Sequence, residues 1–244
     1  MNPRDPNVVR VELVADALGD LCDELVLVGG CAASLLIDAP SASPARVTYD
    51  VDMLAEVTAL HDYHALEHKF AARGFCRDVS AEAPICRWRI RNIGVDLMPT
   101  DEAILGFANR WYPEAVSTAR SVTLPSGRRI NLISAPAFLA TKFEAFHSRG
   151  NNDMVTSHDL EDIVNILGGR LAVVEEVTST DTALRTYLAM RFAQLRQHPD
   201  FDNTLPGLVA YDELFQSRIE ALRWRISEIA GLENLPTPVP PDSV

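Results

Sequence analysis

The chain has 244 residues, 47% of them hydrophobic, and a formal net charge of −12 at neutral pH. That length and apolar content suit one large domain or two closely joined ones. The acidic balance excludes a surface coated for general nucleic-acid binding, which depends on Lys and Arg neutralising phosphates, although a local basic site stays open.

Taken in chain order, residues 8–24 carry Val8, Val11, Val14 or Ala15, Leu18 and Leu21 or Cys22 at helical spacing, with Asn7 as the expected N-cap. ELVLV (24–28) follows as a short buried strand, Gly29 and Gly30 as a tight turn, and CAASLLI (31–37) as a short helix. DAPSASPAR (38–46) is a loop by composition. VTYDVDML (47–54) alternates as a strand, which places Asp50 and Asp52 on one face by the two-residue period. Residues 60–73 form a predicted helix closed by Gly74. Three strand-like runs come next, FCRDV (75–79), ICRWRIR (85–91) and IGVDLMP (93–99), the last two joined by a hairpin at Asn92. LPSGRRINLI (124–133) supplies another hairpin around Ser126 and Gly127.

Helical patterns then occupy 135–147, 157–167, 172–177, 181–197 and 210–229. The expected organisation is a mixed α/β half over 1–134, a helical half over 135–233 and a Pro-rich disordered tail over 234–244. No apolar run approaches the roughly 18 residues that span a bilayer, and MNPRDPN lacks the regions of a signal peptide, so a cytoplasmic location without membrane contact is expected. Cys22, Cys31, Cys76 and Cys86 show no CxxC spacing, which favours buried free thiols over a disulfide frame or zinc site.

Two carboxylates on one face of an apolar strand need a cation. Arg46 or Arg87 supplies it in an ordinary structural network; a divalent metal supplies it in a phosphoryl site, where magnesium binds one or two carboxylates plus phosphate oxygens. Asp96, in an adjacent strand-like run, offers a third carboxylate. Glycines between a strand and a helix let main-chain N–H groups approach a ligand, and a helix N-terminus favours phosphate. Neither GxGxxG nor GxxxxGK[ST] is present.

Lys69 and Lys142 are the two lysines of the chain. Lys142 lies on the apolar stripe of Phe138, Leu139, Phe143 and Phe146, where it needs an anion, either a nucleotide phosphate or Asp159. Asp159, just after Thr156 and Ser157, also suits an acid that stabilises a helix N-terminus. His61, His64 and His68 share a helical face that is otherwise polar, and are expected to be solvated rather than metal-bound. Arg87, Arg89 and Arg91, with Arg128, Arg129 and Arg110 beside Trp111 and Tyr112, are either an RNA-binding strip or partners for the surplus of acids.

VGGCAASLL, RVTYDVD and GVDLMP together resemble the nucleotidyltransferase superfamily that shares the DNA polymerase beta palm, in particular its AbiEii/AbiGii-type branch of abortive-infection and type IV toxin–antitoxin systems. LATKFEAF followed by SHDLEDIV is similar to that branch's helical lysine and Asp-x-x-Asp, at Lys142, Asp159 and Asp162. The resemblance spans residues 25–167. It implies a nucleotidyltransferase-like mixed sheet with flanking helices, an α/β (α+β) fold, and a Mg2+- or Mn2+-dependent transfer of a nucleoside monophosphate from a triphosphate. The implied acceptor is tRNA, protein or a small molecule, and an antitoxin is an implied partner. The implied metal ligands are Asp50, Asp52 and Asp96. The implied catalytic set adds Lys142 and Asp159, and the implied nucleotide contacts are Gly29, Gly30, Thr48 and Lys142. A noncatalytic nucleotide-binding protein on the same fold is the alternative. The chain departs from the family pattern in placing Gly-Gly about twenty residues ahead of the acidic pair.

Overall fold

In the computed structural model, which describes residues 1–232 apart from 41 and 151, the first helix α1 (Pro6–Leu18) is capped by Asp5. The Asp5 carboxylate accepts from the main-chain N–H groups of Asn7 (2.8 Å) and Val8 (3.4 Å). Asn7, expected to be the cap, is instead buried. Its amide donates to Ser34 (2.9 Å) and the Arg46 carbonyl (2.8 Å), and its oxygen accepts from the Thr48 N–H (2.9 Å). It pins the chain ahead of the acidic strand. Gly19, at φ +63°, ends the helix short of the expected residue 24 and leads into a 3-10 turn (Gly19–Asp23).

Strand β1 (Leu25–Val28) is buried throughout and runs directly into α2 (Gly29–Leu36), so the two glycines are the first residues of that helix. β2 (Asp50–Ala55) starts three residues later than the alternation predicts, and 47–49 stay outside the ladder. Helix α3 (Leu60–Ala72) buries Tyr63, Leu66 and Phe70 and leaves His61, His64 and His68 exposed, as expected for a solvated face. A two-residue strand β3 (Cys76–Arg77) replaces the longer run predicted there. β4 (Arg87–Ile90) and β5 (Ile93–Pro99) form the hairpin, turning at Arg91 and Asn92.

Two short helices, α4 (Glu102–Leu105) and α5 (Tyr112–Ser117), occupy a stretch without clear periodicity. β6 (Arg120–Thr123) and β7 (Arg129–Leu132) complete the strands. The helical part comprises α6 (Ala135–Ser148), α7 (His158–Gly169), α8 (Val173–Thr178), α9 (Thr182–Gln197), α10 (Phe201–Thr204) and α11 (Phe215–Gly231). The last helix begins five residues after the expected start at 210. The tail expected to be disordered from 234 lies outside the described residues.

The strands form one sheet in the order β3-β4-β5-β2-β1-β7-β6. β2 pairs parallel with β5, and β1 parallel with β7; β1–β2, β3–β4, β4–β5 and β6–β7 are antiparallel. This is the α/β architecture expected, a mixed sheet with flanking helices followed by a helical C-terminal part. The apolar runs LVLV and IGVDLMP occupy interior strands because a strand covered on both faces needs near-continuous apolar character. One cluster of buried side chains runs from Val8 to Ala230, so the change of composition near residue 134 is not a break in the core. Among the described residues no helix is long and apolar enough to cross a membrane.

Candidate functional site

The register of the central strands sets Asp52 between Val28 of β1 and Asp96 of β5, and Asp50 opposite Gly94. At the mouth of α2, Gly29 has φ +66° and its backbone packs against the Asp52 carboxylate. A Cβ on Gly29 would lie 1.8 Å from Asp52 Oδ2, so this approach is open only to glycine. Gly30 makes room for a different neighbour. A Cβ there would lie 2.3 Å from Thr48 Cγ2. Thr48 itself is buried, its hydroxyl 3.1 Å from Cys31 Sγ and donating to the Asp50 carbonyl at 3.3 Å. Gly30 and Thr48, expected among the nucleotide contacts, thus pack on each other.

A pocket of about 490 Å³ opens between the sheet and α6, and its lining includes Gly29, Asp52, Asn109, Tyr112, Lys142 and Arg149. Asn109 donates to the Thr141 carbonyl (3.0 Å) and Tyr112 to Met98 Sδ (3.3 Å), which ties the 107–112 segment to α6 and β5. Asp52 makes no hydrogen bond or ion pair with the described residues. An edge of its surface faces the pocket while protein encloses the rest. Burial, reinforced by Asp50 and Asp96, pushes its carboxyl up to about 7.

The neighbouring acids are not in that state. Arg87 reaches from β4 and donates through Nη2 to Asp96 Oδ2 (2.7 Å) and Asp50 Oδ2 (2.9 Å), while its Nε closes a fork on Asp96. The ordinary ion-pair reading of the acidic pair therefore holds for Asp50, through Arg87, and not for Asp52; Arg87 also takes Asp96, and Arg46 turns to Glu161 at 3.7 Å. Among the described residues no three His, Cys, Asp or Glu side chains form a group able to hold a metal ion. The expected three-aspartate metal site does not fit a divalent ion as it stands, because Arg87 takes oxygens that the ion would need.

Lys142, on the buried face of α6, meets Asp159 Oδ1 at 3.1 Å and Asp162 Oδ2 at 2.6 Å. Burial lowers the ammonium's affinity for its proton, but the two carboxylates outweigh it and the net direction is upward. Asp159 also accepts from Arg149 Nη2 at 3.2 Å. Burial raises its carboxyl, Lys142 and Arg149 lower it, and the cations prevail. Asp159 lies in the first turn of α7, whose cap is Ser157, so the helix-terminal and ion-pair readings both hold. The anion that satisfies Lys142 in this structure is carboxylate.

The structure thus gathers Gly29, Asp52 and Lys142 on one pocket, holds Asp159 behind the lysine, and ties Asp50 and Asp96 to Arg87 beside it. Arg149 is an addition to the predicted set. Its spacing of seven residues from Lys142, two helical turns on the same side, was the available signal. Asn109 and Tyr112 gave none, since they sit in a stretch without periodicity. The basic strip resolves largely into ion pairs, Arg89 with Asp78 (2.9 Å), Arg128 with Asp16 (3.4 Å) and Arg110 with Glu144 (3.2 Å).

No family model and no curated protein matches the chain. It is similar to two solved Helicobacter pylori structures. One is JHP933, 12% identical with a TM-score of 0.48, with 93% of this chain and 93% of that one covered. The other is described as a "putative nucleotidyltransferase", 12% identical with a TM-score of 0.45, with 92% of this chain and 93% of that one covered. At that identity and those TM-scores, neither likeness assigns an activity to this chain.

Proposed function

We propose that this chain is a nucleotidyltransferase, moving a nucleoside monophosphate from a triphosphate to an acceptor hydroxyl in the pocket of Gly29, Asp52, Lys142 and Arg149. The observation that carries this reading is Asp52, a carboxylate without a partner, enclosed on the glycine start of a helix in a pocket that two cations also line. The acceptor oxygen bonds to the α-phosphorus as the bond to the β-phosphate oxygen breaks, and pyrophosphate leaves. Asp52, held near neutrality, takes the acceptor's proton. The start of α2 favours phosphate oxygens, and Lys142 and Arg149 neutralise charge on the leaving group. The Mg2+ or Mn2+ that the resemblance implies on Asp50, Asp52 and Asp96 is not part of this reading, because Arg87 occupies Asp50 and Asp96.

The acceptor is an RNA, a protein or a small molecule, and a type IV toxin role paired with an antitoxin is the finer proposal. Incubating the full chain with each labelled nucleoside triphosphate, total RNA, protein extract and aminoglycosides tests the reaction. Label on an acceptor, lost in Asp52→Asn, supports it; no transfer under any combination overturns it. The ties of Arg87 to Asp50 and Asp96 favour a second reading, a nucleotide-binding protein without turnover. Triphosphate binding without pyrophosphate release would select that one.

A further inference from the structure

We propose that the free edge of β6, with the cleft beside it, docks an extended basic segment of a partner protein, which adds a strand to the sheet and sends alternate Lys or Arg side chains into the cleft. The inference is independent of the transferase reading, and the cleft shares no lining residue with the pocket of Asp52. β6 is the last strand of the sheet, and among the described residues no strand flanks its outer side. Hydrogen bonds along an antiparallel pair alternate between inward and outward residues. The Leu124 N–H donates to the Arg128 carbonyl at 2.8 Å, two residues on from the Val122–Ile130 pair. Arg120 and Val122 therefore bond inward to β7, and the main-chain groups of Ser121 and Thr123 point outward, without a partner among the described residues.

The cleft, about 640 Å³, lies between this strand pair and α8, with Arg120, Val122 and Leu132 in its wall. The register sets Arg120 opposite Leu132, so the three side chains share one face, and a strand laid along β6 places every second side chain on that face too. Charge selects what those side chains are. Glu114, Glu175 and Asp181 line the cleft without an ion pair, Arg170 and Glu176 neutralise each other at 2.6 Å, and Arg120 is the one lining cation left free among the described residues. A Lys or Arg suits such a wall, its methylene stem lying on Val122 and Leu132 and its charged head meeting the carboxylates. The net charge of −12 draws in a basic chain and repels a second copy of this one. Residues 233–244 lie outside the described residues, and their composition suits the edge poorly: four prolines lack the N–H that a strand donates, and Glu233 and Asp242 add acid to an acidic rim.

The test uses the full chain and a capped, fluorescein-labelled heptapeptide that alternates Lys and Val, with binding read by fluorescence anisotropy and the edge by residue-resolved amide hydrogen exchange. The peptide is expected to bind in the micromolar range and to protect the Ser121 and Thr123 amides, and its Glu–Val counterpart to bind about tenfold more weakly or worse. Ser121→Pro removes an outward N–H and no bond to β7, and is expected to weaken the Lys–Val peptide by about tenfold or more. Should that variant fail to fold, the N-methylated peptide makes the same measurement on the parent, since it has no main-chain N–H to give to the edge. No binding of the Lys–Val peptide, equal binding of its Glu–Val or N-methylated form, or binding without protection of Ser121 and Thr123 overturns the proposal. Self-association of the parent in sedimentation, abolished by Ser121→Pro, overturns it in favour of a second copy on the same edge.

Discussion

Asp52 is an acid whose folded state holds its proton more firmly than the unfolded chain does, at about 7 against 3.8. For such a group, stability is fully present below the unfolded value and is lost as pH rises through the folded one. Asp52→Asn keeps the shape and removes the charge. It is expected to raise the apo melting temperature at pH 8 by roughly 2–4 °C, about 1 kcal/mol after allowing for the water-facing edge, and to change little at pH 4. Melting curves at both pH values check this, and equal shifts at the two would contradict the enclosed carboxylate. Gly30 is a separate residue-scale matter. The sequence suggests that its missing side chain admits phosphate, but the atom in its way is the Thr48 methyl. Gly30→Ala is expected to cost about 1–3 kcal/mol as overpacking. Thr48→Ser, which removes that methyl and keeps the hydroxyl, should recover much of the loss. A double-mutant cycle in urea measures the coupling.

At the scale of elements, α6 and α7 are joined through a buried ion cluster as well as through apolar contact. Phe138 and Phe143 are fully buried on the face that carries Lys142, and Asp162 on α7 is 1% exposed. Lys142→Met would strand Asp162 completely and leave Asp159 to Arg149 alone. The expected loss is roughly 3 kcal/mol or more in chemical denaturation, since removing one partner leaves a buried charge uncompensated. A variant as stable as the parent would contradict the dependence of Asp159 and Asp162 on this lysine. Asp159 supplies the pH signature of the same junction. Its carboxyl is held below 3.8 in the folded state, so its contribution is present above that value and fades as pH falls through the folded one. The parent should therefore lose stability more steeply than Asp159→Asn on acidification below about pH 4, as read by denaturation midpoints.

At the scale of the whole molecule, three of the four free cysteines report on one core. Cys22 follows α1, Cys31 lies on α2 and Cys86 precedes β4, all buried, whereas Cys76 on the edge strand is exposed. Burial pushes the Cys22 thiol up to about 11, and those of Cys31 and Cys86 up to about 12, so the thiolate that reacts is scarce as well as covered. Cys76 is expected to label rapidly with a maleimide in the native protein. The other three should become reactive together along a urea gradient, at the midpoint where helix signal is lost. Exposure of Cys31 and Cys86 well before the C-terminal helices melt would indicate that the strand-bearing part up to 134 and the helical part after it unfold as separate domains.

Local pattern was enough for much of this architecture. Apolar periodicity determines the long helices, the period of two puts Asp50 and Asp52 on one face, and a lysine on an apolar stripe announces a buried partner. Those signals are properties of a segment by itself, so they survive without knowledge of its neighbours. The cap at Asp5, the two-residue β3 and the short α4 and α5 were less legible, since a few residues of turn or edge strand carry too little period to register. The sequence named candidate partners, Asp159 for Lys142 and Arg46 or Arg87 for the acidic pair, but could not choose among them. Whether Arg87, Arg46 or a metal meets the acids depends on the β4–β5 register and on Gly94 leaving room. Whether Gly30 faces phosphate or Thr48 depends on how Asn7 pins residues 46–48 beneath α2. Charge and glycine specify what a site needs; only the long-range packing of strands and helices decides which neighbour supplies it.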